Sequence, residues 1–267
     1  MDAPSPWHVR IVGHRGMGRW HEGSRYAENS IPAFLAALTT GADGIELDVH
    51  LAADDELIVH HDQRLGRASE VRQVDGTHLV CDLPSDELRR VPLKGELAAT
   101  IPTLAEVVER VGPVLGEGEL WVELKRQHHR ARNDRLVERA VQTLADRPVW
   151  SRVVLRSFDE DMLVQARTLR DDARLHHLAL ARVEHAIQHG RRRGFEGIAI
   201  YHPLARPALC RQARRAGLTV TAGGDPPKGE VERLLRGAVA HGHIDHITAD
   251  DVGHALAVRR DVEAASA

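Results

Sequence analysis

Three acidic side chains interrupt apolar segments that otherwise have the composition of buried β-strands. Glu46 and Asp48 lie in GIELDVHL, and Glu123 lies in ELWVEL. Side chains two positions apart on a strand share one face, so Glu46 and Asp48 are expected to point the same way. Three converging carboxylates are typical ligands of a hard divalent cation, and we expect Mg²⁺, Ca²⁺ or Mn²⁺. Alternatively, these carboxylates form a salt-bridge network with Arg15 and Lys125.

Two histidines and a lysine accompany the carboxylates at the ends of apolar segments. His14 follows RIVG, and His61 ends LIVHH. Two imidazoles in opposite protonation states can act as base and acid in the cleavage of a phosphate ester. Lys125 could contact an anionic substrate, offset the carboxylates, or form the Schiff base of a lyase. The residues alone leave these three roles of the lysine open.

The elements that must position these residues alternate between short β-branched segments and stretches with helical spacing. This alternation predicts parallel strands joined by right-handed helical crossovers. Eight such strands close an α/β TIM (β/α)₈ barrel, in which catalytic residues collect at the carboxyl ends of the strands. The candidate strands begin near Val9, Gly44, Glu119, Arg152, Leu175, Gly197, Leu218 and Asp245.

A further apolar segment, LIVHH, follows GIELDVHL after the short connection AADDE. This connection is too short for a parallel crossover, which predicts an antiparallel return arm after the second strand. A turn at 53–56 would place Ala52 opposite Leu57 and Asp48 opposite His61. The hairpin would then bring an imidazole beside the acidic pair.

The polar segment 62–100 is longer than a usual barrel loop. We expect it to form a small inserted subdomain on the catalytic side of the barrel, within a single domain that spans residues 1–267. The alternative is a loop that takes no part in the site.

Composition and charge favour a small-molecule partner. The chain has 267 residues, of which 42% are hydrophobic, and its formal net charge of -3 predicts no basic surface for nucleic acid or for a membrane. No apolar run approaches the length of a membrane span, and no signal peptide is evident, so we expect a cytoplasmic protein. Cys81 and Cys210 lack metal-ligand spacing and are expected to be thiols. The oligomeric state stays open.

A series of motifs resembles one known family. IVGHRG, ENSIPAFLAAL, GADGIELDVHLAADDELIVHHD, IPTLAEVV, VELK and HITADD occur in this order. In order and spacing they resemble the glycerophosphodiester phosphodiesterase family over about residues 9–252. The resemblance implies a TIM barrel of the phospholipase C-like type that hydrolyses glycerophosphodiesters to sn-glycerol 3-phosphate and an alcohol with one divalent metal ion.

The resemblance also assigns roles by position. It implies a catalytic acid/base pair of His14 and His61, phosphate contacts from Arg15 and Lys125, and metal ligands Glu46, Asp48 and Glu123.

The sequence departs from the family pattern in two places. The loop after His14 is longer than usual, and TAGGD, beginning at Thr221, replaces the usual Trp-Thr-Val-Asn of the penultimate strand. An aromatic wall of the pocket is therefore expected to be missing. Two alternative functions follow, a non-catalytic binder of glycerophosphodiesters and a phospholipase D-like barrel that acts on lysophospholipids.

Overall fold

The computed structural model describes residues 8–70, 79–127, 130–224 and 226–265, which form a closed β-barrel surrounded by helices. Strand β1 (Arg10–Gly13) pairs in parallel with both β2 (Gly44–Leu51) and β9 (His246–Ala249), and this double pairing closes the ring. The other strands among the described residues are β3 (Leu57–Val59), β4 (Glu119–Leu124), β5 (Val153–Ser157), β6 (Leu175–Ala179), β7 (Gly197–Tyr201) and β8 (Thr219–Gly223).

Helices follow the barrel strands and cover their outer faces. Within the described residues they are α1 (Ile31–Thr40), α2 (Ser85–Leu88), α3 (Leu104–Val111), α4 (Arg130–Leu144), α5 (Glu160–Leu169), α6 (Val183–Arg193), α7 (Pro207–Arg215), α8 (Lys228–His241) and α9 (Val252–Ala264). The outward side chains of β2, Ile45, Leu47 and Val49, belong to the main apolar core that these helices complete. The alternate residues Glu46 and Asp48 therefore face the barrel interior.

The predicted TIM barrel is confirmed. All the strands except β3 are parallel to their neighbours, in the ring order β1-β2-β4-β5-β6-β7-β8-β9. Each begins at the predicted position or at the residue beside it. This agreement arises because fully buried parallel strands are short, continuous apolar runs that stand out between amphipathic helices.

Strand β3 runs antiparallel to β2, but the predicted register was wrong by one residue. Leu51 lies opposite Leu57, and the backbone N–H of His60, not that of His61, donates to the carbonyl of Asp48 (3.0 Å). The turn is one residue shorter than expected, because Asp55 adopts a left-handed conformation (φ 64°) that closes a three-residue loop. His61 consequently lies after the end of β3, outside the pairing between β2 and β3.

The polar segment after β3 is described at 62–70 and 79–100, while residues 71–78 lie outside the described part. It packs on a second apolar cluster that is separate from the main core, with buried members Ala27, Ala52, Ile58, Leu65, Val80, Leu88, Leu93 and Ile101. Isolated bridges such as Arg64–Leu79 and Ser69–Leu93 hold it together. That this segment is an inserted subdomain within a single domain stays a prediction.

Two further expectations concern thiols and membranes. Cys81 and Cys210 are free cysteines. Among the described residues, every helix is too short or too polar to cross a lipid bilayer.

Candidate active site

Three carboxylates meet inside the barrel at the carboxyl ends of β2 and β4. The parallel register places Asp48 beside Glu123, with Glu46 two residues earlier on the same face of β2. Their oxygens lie within 4.8 Å of one another, and all three residues are buried. Burial raises the pKa of Glu46, and the neighbouring Asp48 carboxylate raises it further. Such a cluster of buried oxygens is a suitable site for a divalent cation.

Basic side chains border the same carboxylates. Lys125 Nζ lies 2.9 Å from Asp48 Oδ1 and 2.5 Å from Glu123 Oε1, and Arg15 Nε lies 3.5 Å from Asp48 Oδ2. Burial by itself would raise the pKa of Asp48, but the positive charge of Lys125, followed by those of His61 and Arg15, holds it well below its usual value. The salt-bridge network considered from the sequence is therefore present around the candidate cation site.

His14 and His61 each have a carboxylate partner. His14 Nδ1 lies 2.7 Å from Asp250 Oδ1, and His61 Nδ1 lies 2.6 Å from Asp62 Oδ1. Because an ionised carboxylate only accepts hydrogen bonds, Nδ1 carries the proton in both rings, and Nε2 is the nitrogen that can exchange one. Both histidines line one cavity together with Glu46 and Glu123, so the predicted site residues come together.

The loop between β1 and α1 supports this arrangement through Glu28 and Asn29. Asn29 Nδ2 donates to Asp48 Oδ2 (2.8 Å), and Asn29 Oδ1 accepts from the backbone N–H of Asp48 (3.2 Å). Glu28 is buried and accepts from Arg15 Nη1 (3.0 Å) and from both Nη atoms of Arg67. These contacts fix the side chain of Asp48, a candidate metal ligand, and that of Arg15, a candidate phosphate contact.

The shared cavity has a volume of about 140 Å³ and has two unlike sides. The histidines, the carboxylates and the basic residues form one side. The other side carries large apolar side chains from the ends of three successive strands, namely Phe158 (48% exposed), Leu180 (59%) and Tyr201 (38%). The apolar side faces the polar groups across the opening.

Tyr201 supplies an aromatic ring beside the strand where the family aromatic is missing. A Cβ atom at Gly224 would lie 2.7 Å from Cδ2 of Tyr201, so the ring packs directly on the Gly224 backbone. Gly224 also has a left-handed backbone (φ 84°), which suits glycine. The expected gap in the wall is thus partly filled from β7. Asp225, the last residue of TAGGD, lies outside the described residues.

Sequence reasoning missed three residues of the site. Asp62 and Asp250 were visible as polar residues at strand ends, but their pairing with His61 and His14 depends on tertiary geometry. Arg156 was visible at the end of β5, and it lines the cavity beside Glu123. For Arg156 the available signal was its inward-facing position on a strand, two residues after Val154.

A closed parallel barrel with paired histidines, carboxylates and basic groups at one rim has the architecture of TIM-barrel enzymes, whose chemistry lies at the carboxyl ends of the strands. The model of the glycerophosphoryl diester phosphodiesterase family matches residues 14–244. The chain belongs to this family.

Relatives agree with this assignment. A glycerophosphodiester phosphodiesterase of Bacillus altitudinis is 40% identical over 108 residues, covering 39% of this chain and 40% of the relative. One from Caldanaerobacter subterraneus is 30% identical over 154 residues, covering 56% of this chain and 58% of the relative. The chain thus spans about half the length of these relatives.

Among solved structures, a glycerophosphodiester phosphodiesterase from Parabacteroides distasonis superposes with a TM-score of 0.76 at 24% identity, covering 97% of this chain and 98% of that one. An Oleispira antarctica phosphodiesterase in complex with the product sn-glycerol-3-phosphate has a TM-score of 0.78 at 20% identity, covering 93% and 96%. At these identities the likeness supports the shared fold.

Proposed function

We propose that the protein hydrolyses glycerophosphodiesters to sn-glycerol 3-phosphate and an alcohol, using a divalent cation and two histidines. One observation carries this proposal: Glu46 and Glu123 of a buried carboxylate triad line one cavity together with two carboxylate-paired histidines. The structural neighbour from Oleispira antarctica, which holds sn-glycerol-3-phosphate, supports the choice of product.

Glu46, Asp48 and Glu123 would hold the cation, and the donor set fits it. All three offer only oxygen, as Mg²⁺, Ca²⁺ and Mn²⁺ prefer, and their mutual repulsion raises the pKa of Glu46 in addition to the effect of burial. When bound, the cation would neutralise charge on the phosphoryl oxygens. A bound cation would relieve the repulsion between these buried carboxylates.

His14 and His61 would transfer the protons of the reaction. One imidazole accepts the proton of the attacking hydroxyl as the new P–O bond forms. Attack by water gives sn-glycerol 3-phosphate directly, whereas attack by the glycerol hydroxyl gives a cyclic phosphate that water opens in a second step. The other imidazolium donates a proton to the alcohol oxygen as the old P–O bond breaks. Asp250 and Asp62 hold the rings by Nδ1, so that Nε2 of each performs the transfer.

Arg15 and Lys125 would bind the phosphate. Burial alone would lower the pKa of Lys125, but the charges of Asp48 and Glu123 raise it above its usual value, so the ammonium keeps its charge. A protonated lysine is a good anion contact and a poor nucleophile. This geometry argues against the Schiff-base lyase that the sequence left open.

The experiment measures release of sn-glycerol 3-phosphate from a panel of glycerophosphodiesters, first with EDTA and then with Mg²⁺, Ca²⁺ or Mn²⁺ restored. We expect turnover that EDTA abolishes and one cation restores. His61→Ala should remove turnover, whereas His185→Ala, an exposed histidine on α6, should not. Folded wild-type protein that binds the diesters without turnover would support a non-catalytic binder instead.

The apolar side of the cavity favours one second candidate. Phe158, Leu180 and Tyr201 are exposed at its opening and could accommodate the acyl chain of a lysophospholipid. We expect such an activity to appear as choline release from lysophosphatidylcholine that Leu180→Ser weakens. Release from the deacylated diester should change little in the same variant.

A further inference from the structure

Arg156 is a buried cation that the mechanism above does not use. Its side chain points from β5 into the barrel, is 5% exposed and lines the floor of the active-site cavity. Nε and Nη1 have no hydrogen-bond partner, and within the part of the chain that the structure describes no carboxylate lies within ion-pair distance of the guanidinium. Buried charges in proteins are normally paired, so this one indicates a missing anion.

The neighbouring cations have carboxylate partners, whereas Arg156 has none among the described residues. Arg15 contacts Glu28 and Asp48, and Lys125 contacts two carboxylates. Arg156 instead lies over the ring of Trp121, with Cζ 5.0 Å from the ring centroid. A cation–π contact holds the guanidinium without using its N–H groups as donors.

Trp121 is itself fixed beneath the site. Its Nε1 donates to Glu119 Oε2 (2.9 Å), and its ring is fully buried. Arg156 is therefore positioned by a rigid aromatic floor while its donors stay available for a ligand. Preorganised donors of this kind stabilise charge that develops during a reaction, because they need no reorganisation when it appears.

The position of Arg156 relative to the carboxylates indicates where that anion lies. Arg156 is the register partner of Glu123 across the β4–β5 pair. Among the described residues, no ion pair joins Arg156 to Glu46 or Glu123, and all three residues line the cavity. A phosphate oxygen between them would contact the guanidinium.

The phosphate group gains negative charge during hydrolysis. A phosphodiester carries one negative charge, and the phosphate monoester formed by its hydrolysis carries close to two. A buried guanidinium without a carboxylate partner among the described residues therefore interacts more strongly with the cleaved phosphate than with the intact diester.

We propose that Arg156 is a phosphate-contacting residue that donates to a nonbridging phosphoryl oxygen and favours the additional negative charge acquired on cleavage. This inference rests on the proposed function. Arg156 then differs from Arg15 and Lys125, because its guanidinium has no protein carboxylate as a partner among the described residues. Its buried, unpaired charge lowers the stability of the empty protein and strengthens binding of the dianion.

The test measures binding of sn-glycerol 3-phosphate by calorimetry at pH 8, where the monoester is a dianion, with and without Mg²⁺. We expect Arg156→Gln to weaken this binding roughly 10- to 100-fold, the range for a hydrogen bond to a charged group. Arg156→Lys should restore part of it. For glycerophosphoethanolamine, Arg156→Gln should lower kcat by a similar factor and change KM little.

Thermal unfolding of the ligand-free protein separates this role from a structural one. Arg156→Gln should unfold at the wild-type temperature or above it, because an unpaired buried charge is removed. Arg130→Gln, which removes an exposed arginine on α4, serves as the charge-matched control and should bind the product as wild type does.

Three outcomes would overturn the inference: wild-type protein that does not bind the product, Arg156→Gln that binds it with wild-type affinity, or weakened binding explained by a lowered unfolding temperature. A fourth outcome, a larger loss on glycerophosphoserine than on glycerophosphoethanolamine, would place Arg156 at the alcohol group and also overturn the inference. Failure of the proposed function is distinguishable, because then the wild type would release no product from any diester.

Discussion

The carboxylate of Glu28 joins the first barrel loop to the polar segment after β3, and we expect Glu28→Gln to destabilise the protein. The side chain is 2% exposed. Its oxygens accept from Arg15 Nη1 (3.0 Å), from Arg67 Nη1 (2.8 Å) and Nη2 (2.5 Å), and from the backbone N–H of Trp20 (2.7 Å). A neutral amide would accept fewer of these bonds and would place an NH₂ group against two guanidinium ions.

The magnitude follows from the pKa of Glu28. Burial alone would raise this pKa, but the hydrogen bond from Arg67 and the charge of Arg15 lower it from 4.5 to about 2. A shift of this size corresponds to about 3 kcal/mol in favour of the ionised, folded form at pH 7. Because the folded-state pKa is depressed, this stabilisation is present above pH 4.5 and is lost as the pH falls towards 2. About 1.4 kcal/mol should remain at pH 3.

Urea unfolding of the wild type and Glu28→Gln at pH 7 and pH 3 measures both quantities. The difference in unfolding free energy should be about 3 kcal/mol at pH 7 and roughly half of that at pH 3. Glu22→Gln, an exposed glutamate in the same loop, should change stability little at either pH. A Glu28→Gln difference below about 1 kcal/mol at pH 7, or one that does not shrink in acid, would refute the reasoning.

Two other predictions concern the residues that orient the proposed catalytic groups. Asp250→Asn should lower kcat on the order of 10²- to 10⁴-fold with little change in stability, because a neutral amide can donate as well as accept and so no longer fixes the proton on His14 Nδ1; wild-type release of glycerol 3-phosphate would contradict this. Asn29→Ala should weaken Mg²⁺ binding roughly 10- to 100-fold, because Asn29 fixes the Asp48 carboxylate. The Mg²⁺-induced rise in unfolding temperature measures this, and an unchanged rise would argue against it.

The sequence was sufficient to predict the barrel and the meeting of its polar residues. Glu46 and Asp48 share a face because side chains alternate along a strand, and Glu123 joins them because parallel strands end at one rim. Both are local or topological rules that need no side-chain coordinates. The same rules placed His14 and His61 near the triad, even though the assumed hairpin register was wrong.

The rest depends on interactions that no local pattern encodes. The hairpin register is set by the left-handed backbone of Asp55, and an aspartate is compatible with several turn types. The pairing of His14 with Asp250 joins residues that are 236 positions apart. The unpaired state of Arg156 became visible only from the contacts that its neighbours do and do not make inside the barrel.

The interior of this barrel contains few apolar side chains and several charged ones, so it contributes little to the stability of the folded protein. TIM barrels usually fill their interior with layers of branched aliphatic side chains, but here the apolar interior cluster is Val12, Trp121 and Val154. Above Trp121 lie the carboxylates and Arg156, which gain little until a cation and a phosphate neutralise them. The large apolar core between strands and helices offsets this cost in the empty protein. Binding of a ligand inside the barrel should therefore raise the unfolding temperature of this protein more than binding at its surface would. The rise caused by the ligand should be smaller in Arg156→Gln than in the wild type.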